Sequence, residues 1–340
     1  MPHRHRLGAG EEVFEDAVLL FKIATLFAMI ESKAPANLLP TNGALQALNE
    51  EQTLASPSPL DDAGWTMVIR PKAHWLQLRF DELWQYRDLI GLFVRRDFVA
   101  AYKQTVLGPL WHIIQPLFTA LTFTFIFGNI AGVSTDGLPK FLFYMAGTVS
   151  WSYFAKCLAS TADTFVANAG IFGKVYFPRL AIPVSIIISA LISFGIQFGI
   201  FLFFMAYFGV SGADLHPNNW ILLTPVLLLL MAGLGLGFGI IVSSLTTRYR
   251  DLRHLVAFGV QLFMYATPVI YPLSTIPEEY RNLIMANPMT PIIETFRFAY
   301  LGAGTVSAMH LLYSAGFTVV VLLAGIFLFN KVERTFMDTV

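Results

Sequence analysis

The stretch Asn168-Ala-Gly-Ile-Phe-Gly-Lys-Val-Tyr-Phe-Pro-Arg179 separates two apolar segments that are each long enough to cross a membrane. It contains two glycines, one proline and two basic residues, a composition that ends one helix and lets another begin after a short turn. We call this stretch the hinge. A short basic hinge between two apolar segments predicts a loop that makes contact with a partner in the cytosol.

Outward from the hinge, the chain consists largely of long windows without Asp, Glu, Lys or Arg. Its 340 residues are 56% hydrophobic and 13% charged, the composition of a polytopic membrane protein. Because a membrane helix needs about 20 apolar residues, we predict an all-α protein with six transmembrane helices. The predicted spans are residues 109–131, 140–161, 180–208, 219–245, 254–273 and 308–330.

Basic residues are distributed unequally between the two sides that six spans define. Cytosolic loops of membrane proteins are enriched in Lys and Arg. If both termini are cytosolic, the hinge and the loop 248–253 face the cytosol, and the outer side holds Lys140, Arg281 and Arg297. We therefore predict cytosolic termini. The formal net charge of zero favours neither nucleic acid nor an acidic partner.

The regions outside the spans differ in composition. Residues 32–64 are rich in Ala, Pro, Asn, Ser and Asp, as in a linker with little to bury. We predict an N-terminal extension at 1–66, peripheral or disordered. The other predicted parts are a cytosolic segment at 67–108, the transmembrane domain at 109–330 and a cytosolic tail at 331–340.

An amphipathic helix is predicted directly before the first span. From Leu83 to Ala101, apolar residues recur at helical spacing, while Arg95 and Arg96 fall off that stripe. Such a helix is expected to lie in the cytosolic interface of the membrane. It is either a simple anchor, or Arg95, Arg96 and Lys103 meet the phosphates of a lipid-linked substrate.

The segment between the fifth and sixth predicted spans is broken by prolines at 268, 272, 277, 288 and 291. Proline excludes one continuous helix, and broken backbone at a membrane must be buried in protein or reached by water. We predict two short re-entrant helices on the outer, periplasmic face that form a gate. Glu294 and Arg297 are spaced to pair on one helical turn, and a direct role in substrate passage is the alternative. The predicted gate residues are Pro272, Pro277, Pro288, Pro291, Glu294 and Arg297.

Lys156 interrupts the second predicted span near its inner end. An ionisable residue in a span either faces a partner or water, or extends its charged end to the interface. We favour the extended arrangement and keep contact with substrate as the alternative. The single cysteine, Cys157, is predicted to be a small core residue.

Four motifs occur in a fixed order: Leu83-Trp-Gln-Tyr-Arg-Asp-Leu89, Tyr102-Lys-Gln-Thr-Val-Leu-Gly-Pro109, Lys174-Val-Tyr-Phe-Pro-Arg179 and Asn287-Pro-Met-Thr-Pro-Ile-Ile-Glu-Thr-Phe-Arg297. Together they resemble the membrane subunit of bacterial ABC exporters for polysaccharides and polyol phosphates, such as the O-antigen, capsule and teichoic acid permeases. The resemblance runs from about Val68 to the C-terminus, and the long extension before Met67 departs from it.

The resemblance implies a homodimer of six-span subunits in the bacterial inner membrane, bound to two copies of a separate ATPase. Consistently, the chain has no G-x-x-x-x-G-K-[ST] phosphate loop. ATP and Mg²⁺ would then belong to the partner, and this chain would be a transport subunit without cofactor or metal rather than an enzyme. By similarity, the residues that couple to the ATPase are Gly170, Lys174, Phe177, Pro178 and Arg179 of the hinge, with Arg248, Arg250 and Arg253 beside them.

Aromatic rings are abundant in the predicted spans. Rings can stack on the apolar faces of sugars, although Trp and Tyr near span ends belong to interfacial belts by default. In the family that the motifs resemble, the first and fifth spans border the dimer channel, so we predict channel aromatics there. They are Trp111, Phe118, Phe258 and Tyr265.

The function predicted from these features is ATP-driven export of a lipid-linked, O-antigen-like polysaccharide. Export of a drug or small lipid by the same fold is one alternative. A membrane glycosyltransferase or polymerase is another, disfavoured because the seven histidines are scattered and show no catalytic or metal spacing. A passive channel is disfavoured by the hinge.

Overall fold

The computed structural model describes residues 80–337, except 104, 173–176 and 247–250. The predicted extension at 1–66 lies outside this range. All regular structure in the described residues is helical, which confirms the all-α prediction. In chain order the helices are α1 Phe80–Gln85, α2 Arg87–Tyr102, α3 Trp111–Phe123, α4 Lys140–Ala162, α5 Thr164–Ala167, α6 Ala169–Phe172, α7 Ala181–Val210, α8 Thr224–Thr246, α9 Leu252–Tyr265, α10 Glu278–Met285, α11 Met289–Leu301 and α12 Ala308–Met337.

Three short 3₁₀ segments and one π-helical segment complete the described elements. The 3₁₀ segments are Gly108–Leu110, Asn219–Leu223 and Leu273–Thr275, and the π-helix Thr124–Ile130 continues α3. Prolines stand at several helix starts: Pro139 precedes α4, Pro277 precedes α10 and Pro288 precedes α11. The first amides of a helix have no partner within it, so proline at such a start removes no helical hydrogen bond.

Four helical segments are long and apolar enough to cross a membrane. They coincide with the first, third, fourth and sixth predicted spans. Helix α7 has 30 residues and no charged side chain, and at 1.5 Å per residue it exceeds a hydrocarbon core of about 30 Å. The four segments are Trp111–Ile130, Ala181–Val210, Asn219–Thr246 and Ala308–Phe329.

The second and fifth predicted spans are helices with different properties. Helix α4 has 23 residues, most of them buried within the subunit, and it carries Lys140 and Lys156. Helix α9 has only 14 residues and ends at Tyr265, so its predicted continuation to residue 273 is wrong. The chain turns there because Pro268 cannot supply a helical N–H. The six-span arrangement therefore stays a prediction.

Helices α4 and α8 pack at very close range through glycines of α8. A Cβ atom at Gly235 would lie 2.6 Å from the Cβ of Cys157, and one at Gly239 would lie 2.6 Å from the Cβ of Thr161. Both distances are far below van der Waals contact, so only glycine permits this approach. Cys157 is fully buried at this contact, which confirms its prediction as a core residue.

The alternate glycines of α8 face helix α12. A Cβ at Gly233 would lie 2.6 Å from Cγ2 of Thr318, and one at Gly237 would lie 3.0 Å from the backbone nitrogen of Leu322. Gly325 of α12 completes the contact, because its Cβ would lie 2.9 Å from the Gly237 carbonyl oxygen. Two interleaved pairs of glycines, each spaced by four residues, thus hold α8 between α4 and α12. Small residues at this spacing are a known signal for close helix packing in membranes, and our sequence analysis missed it.

Candidate functional site

The hinge begins at Asn168, which lies between two one-turn helices, α5 before it and α6 after it. The Asn168 side-chain amide donates a hydrogen bond to the Thr164 carbonyl oxygen at 3.0 Å, which closes the bend. Gly170 is exposed, and no atom lies within 4 Å of where its Cβ would be. Gly170 is therefore an open position in the described part of the hinge, and its role in binding a partner stays a prediction. Lys174 lies outside the described residues.

Phe177 connects the hinge to the helix before the first span. It is 5% exposed, and its ring centroid lies 5.6 Å from that of Phe93 in α2. Both rings belong to a cluster that also contains Ile182 of α7 and Ile240 of α8. In the same cluster, the rings of Phe165 and Phe329 stack at 4.8 Å. A displacement of the hinge would thus reach α2, α7, α8 and α12 through direct packing.

Arg179 occupies a different environment from the one expected of a residue that meets a partner. Its side chain is buried with the residue 4% exposed, and Pro178 beside it is partly buried. The Arg179 carbonyl oxygen accepts a hydrogen bond from the Ile182 amide as α7 begins. Arg179 therefore anchors the hinge inside the subunit. The predicted coupling residues Arg248 and Arg250 lie outside the described residues, as does the side chain of Arg253 at the start of α9.

Helices α1 and α2, separated at Tyr86, occupy the region where we predicted an amphipathic helix, and its place at the membrane interface stays a prediction. The buried positions in α2 are Ile90 and Phe93, whereas Phe98 is 37% exposed. The two buried residues lie against α7 and the hinge, because α2 packs on both. The cationic residues Arg95 and Lys103 are exposed.

Arg96 is held on the surface of α2 by two contacts. One guanidinium nitrogen (Nη2) lies 2.8 Å from a carboxylate oxygen of Asp97, and its guanidinium carbon lies 4.9 Å from the centroid of the Phe93 ring. The Asp97 carboxylate therefore already has a cationic partner. All three members of the predicted phosphate-binding set are exposed, but Arg96 is already engaged by the Asp97 carboxylate.

The four predicted channel aromatics are exposed on the isolated subunit. Trp111 and Phe118 lie on α3, and Phe258 and Tyr265 lie on α9, with exposed fractions between 46% and 66%. Both helices pack against α4. The rings therefore lie on surfaces that only lipid, a second subunit or a passing ligand could cover.

The predicted gate segment contains the helices α10 and α11. Pro291 lies in the first turn of α11, where its missing N–H costs no helical hydrogen bond. Pro272, Pro288 and Pro291 are buried, whereas Pro277 is exposed. Two short helices are thus present where we predicted them, and their re-entry into the membrane remains a prediction.

Glu294 and Arg297 form the ion pair that their spacing predicts. Arg297 Nη1 donates to Glu294 Oε1 at 3.2 Å, and both residues are 1% exposed. Arg297 Nη2 also donates to the Val269 carbonyl oxygen at 2.6 Å, and the Thr305 amide donates to Glu294 Oε2 at 3.1 Å. Burying a charge is costly unless it is paired and hydrogen-bonded, and here both charges are. The pair joins the turn after α9 to α11 and to the loop before α12.

Gly147 of α4 makes room for this network. A Cβ there would lie 2.7 Å from Arg297 Nη2 and 2.8 Å from the Val269 carbonyl oxygen. On the same face of α4, the Phe143 ring centroid lies 3.8 Å from the Arg297 guanidinium carbon. Sequence reasoning did not find Gly147 or Val269, since neither residue has a chemical signal of its own.

Among the described residues, no group of three or more His, Cys, Asp or Glu side chains is placed to hold a metal ion. The absence of a cofactor in this chain stays a prediction.

Residues 88–301, from α2 to the end of α11, match the ABC-2 type transporter family. The chain belongs to this family. The match includes the hinge, the gate segment and the buried Glu294–Arg297 pair, and it confirms the resemblance drawn from the four motifs. It also assigns the chain to a class of membrane transporters, in agreement with its several long apolar helices.

Named relatives of this permease are similar over almost their whole length. The "O-antigen export system permease protein RfbA" of Klebsiella pneumoniae is 30% identical over 254 residues, which covers 74% of this chain and 94% of the relative. The protein of the same name from Myxococcus xanthus is 29% identical over 262 residues, 76% of this chain and 98% of the relative. The "Polysialic acid transport protein KpsM" of Escherichia coli is 24% identical over 252 residues, 73% of this chain and 95% of the relative.

Proposed function

We propose that this chain is the membrane subunit of an ATP-driven exporter that moves a lipid-linked, O-antigen-like polysaccharide across the bacterial inner membrane. The observation that carries the proposal is the similarity to O-antigen permeases over 94% and 98% of their length. Two copies of the chain form the channel, and two copies of a separate ATPase supply the energy.

The hinge is the proposed docking point of the ATPase. Its exposed tip around Gly170 is open, while Phe177 and Arg179 are buried and fix it to the subunit. A surface that is open outside and rigidly attached inside can pass a displacement from a partner to the helices behind it. The basic residues Arg248, Arg250 and Arg253 belong to the same cytosolic face in this proposal.

The proposed topology has six spans, with α4 and α9 as the second and fifth. Helix α4 is long enough at 23 residues, and its lysines lie at or near its ends. Helix α9 reaches the outer face together with the turn at 266–273. Cytosolic termini agree with the excess of Lys and Arg on the hinge side of the chain.

The exposed rings of α3 and α9 supply the proposed glycan path, and α10 and α11 close it at the periplasmic face. Sugars stack on aromatic rings without requiring fixed charges. Arg95, exposed on α2, and Lys103, exposed directly after α2, are the residues proposed to meet lipid phosphates in the inner leaflet. Export of a smaller lipid by the same architecture is the alternative that an experiment must separate.

Deletion of the gene in its bacterial host, followed by complementation, tests the proposed function. We expect the deletion strain to lose surface polysaccharide and to accumulate the lipid-linked glycan in the cytosolic leaflet, and the wild-type gene to restore both. Glycan-specific staining of intact cells and of lipid extracts measures the two pools. Unchanged surface polysaccharide in the deletion strain would refute the proposal, and an altered lipid profile with normal polysaccharide would favour export of a small lipid.

A further inference from the structure

We propose that a polar cleft between α2, α3, α4 and α7 binds the phosphate group of a lipid. The cleft is separate from the hinge, the gate segment and the exposed rings. It has a volume of about 210 Å³. The argument rests on the spacing of polar residues, on one ammonium group without a carboxylate partner and on a buried hydroxyl group without a hydrogen bond.

Polar residues recur at every fourth position on the facing sides of α4 and α7. Apart from Tyr207, the only polar side chains in the 30 residues of α7 are Ser185, Ser189, Ser193 and Gln197. Helix α4 has Ser152, Lys156 and Ser160 at the same spacing. Residues four apart lie on one face of a helix, so each helix has a polar stripe. In a membrane protein, polar residues in a span face protein or water rather than lipid.

Hydrogen bonds show that the two stripes meet. Lys156 Nζ donates to Ser193 Oγ at 2.5 Å, and Ser193 Oγ lies 3.2 Å from Nε2 of His112 in α3. Three helices thus converge on one hydroxyl group. Ser160 and Ser189 line the cleft beside this cluster. The Lys156 ammonium lies between helices, which is not the arrangement expected of a lysine that merely extends along a lipid-facing surface.

The cleft retains a positive charge. Among the described residues, Lys156 forms no ion pair, and its recorded hydrogen bond is to a neutral hydroxyl group. Of the described residues that line the cleft, Asp97 alone is acidic, and its carboxylate lies 2.8 Å from Nη2 of Arg96. A lysine ammonium has three N–H donors and a strong preference for anionic oxygen. An anionic ligand would therefore improve its solvation.

Two polar atoms in the stripe have no hydrogen-bond partner among the described residues. They are Oγ of Ser189 and Oε1 of Gln197, and both are buried. Buried polar groups are nearly always hydrogen-bonded, so the Ser189 hydroxyl group, which lines the same cleft as Lys156, has the capacity to bind a ligand there. Ser189 can donate to an anionic oxygen in the cleft, alongside Lys156. Gln197 lies further along the stripe and is not needed for the site.

The position of the cleft along α4 indicates which part of a lipid it would take. Ser160 is exposed and lies two residues before α4 ends at Ala162, next to the hinge. Lys156 lies about one turn deeper, roughly 6 Å along the helix. The cleft therefore opens at the hinge end of the helices, where headgroup phosphates of the adjacent leaflet are found. A phosphate diester or monoester with its acyl or prenyl chain in the bilayer fits this arrangement.

Lipid binding to the full-length chain, with any partner that co-purifies, tests the proposal. Native mass spectrometry in detergent measures this binding. Phosphatidic acid and diacylglycerol with identical acyl chains differ only in the phosphate group. We expect Lys156→Met to weaken the binding of phosphatidic acid about tenfold, the effect typical of losing a hydrogen bond to a charged group. Lys140→Met, on the same helix at its opposite end, should change the affinity less than about twofold.

A second pair of variants keeps the proposal testable if Lys156→Met does not fold. Lys156→Arg preserves the charge and should retain binding, whereas Ser189→Ala removes one donor and should weaken it about threefold to tenfold. Equal binding of diacylglycerol and phosphatidic acid to the wild-type chain would overturn the proposal. So would unchanged affinity for phosphatidic acid in both Lys156→Met and Ser189→Ala.

The source of the phosphate is distinguished by a third ligand, a polyprenyl phosphate. Tighter binding of polyprenyl phosphate than of phosphatidic acid assigns the cleft to the carrier lipid of the proposed substrate, and this arm rests on the proposed function. The reverse order assigns the cleft to ordinary membrane lipid. Either order supports a lipid phosphate site, and the binding measurement stands whether or not the exported molecule is a polysaccharide.

Discussion

The guanidinium carbon of Arg297 lies 3.8 Å from the centroid of the Phe143 ring, so a cation in α11 rests on an aromatic face of α4. Arg297 is 1% exposed, and a cation over a ring gains most when water is excluded. With the Glu294 carboxylate and the Val269 carbonyl oxygen on its other sides, Arg297 links the gate segment to α4, a helix most of whose residues are buried. The Glu294–Arg297 pair therefore has a structural role, independent of any role in substrate passage.

Removal of Arg297 should destabilise the protein strongly. Arg297→Met leaves the buried Glu294 carboxylate without its cation, and loss of one member of a buried pair typically costs about 3–5 kcal/mol. The double variant Glu294→Gln, Arg297→Met removes both charges and should recover part of that loss. Equilibrium unfolding in mixed detergent micelles measures the difference. A single variant as stable as the wild type would show that the pair contributes nothing.

Two glycines of α12 offer a matched test of the close packing around α8. Gly325→Ala would bring a Cβ within 2.9 Å of the Gly237 carbonyl oxygen, whereas Gly316→Ala meets no atom within 4 Å. Backbone cannot move aside cheaply, so we expect Gly325→Ala to cost about 1–3 kcal/mol and Gly316→Ala to cost nothing. Thermal unfolding of the two variants in the same detergent measures the contrast. Equal stability would mean that α8 and α12 can separate freely.

The contact between Phe93 and Phe177 should be measurable as a coupling between α2 and the hinge. Aromatic pairs are worth about 0.5–1.5 kcal/mol beyond their area burial. We expect a double-mutant cycle with Phe93→Leu and Phe177→Leu to give an interaction energy in that range from unfolding measurements. Strictly additive losses would show that the two rings are neighbours without being coupled.

Docking of the proposed ATPase can be tested without disturbing the fold. Gly170→Trp places a large side chain in open space, and Lys174→Glu reverses a charge four residues later in the sequence. Both should reduce co-purification of the ATPase severalfold while the chain still inserts in the membrane. Arg179→Glu is unsuitable as a docking variant, because the buried side chain would leave a carboxylate inside the subunit. Normal export in the Gly170→Trp, Lys174→Glu double variant would mean that the hinge tip does not receive the ATPase.

The role of the exposed rings can be tested with two phenylalanines of equal exposure. Phe118 on α3 and Phe203 on α7 are both 66% exposed. Leucine retains hydrophobicity but cannot stack on a sugar, so we expect Phe118→Leu to lower glycan export severalfold and Phe203→Leu to leave it unchanged. Export is measured as surface polysaccharide per cell at equal levels of membrane protein. Equal effects of the two substitutions would assign Phe118 to lipid contact.

The main helices follow from the sequence because long uncharged windows have no other stable structure in a membrane. The window around 109–131 forms α3 and the π-helix that continues it, and the window around 180–208 forms α7. Prolines 277 and 288 directly precede α10 and α11. The end of α9 at Tyr265 was missed, since hydrophobicity continues past the last helical residue and only Pro268 signals the turn.

Whether a side chain is buried or exposed was harder to predict than where the helices lie. Arg95 and Arg179 both lie in short basic segments, yet Arg95 is exposed and Arg179 is buried. The difference arises from which elements pack on each residue, and a single sequence does not contain that information. Gly147 is a second example. A side chain there would collide with Arg297 and Val269, which come from distant parts of the chain.

The interleaved glycines of α8 also constrain how the molecule can change shape. Helices α4, α8 and α12 approach so closely that sliding one past another would drive side chains into backbone. A transport cycle must therefore carry these three helices as one rigid frame. We expect the opening and closing movements of the proposed transport cycle to involve helices outside this frame, such as α2, α3 and α9.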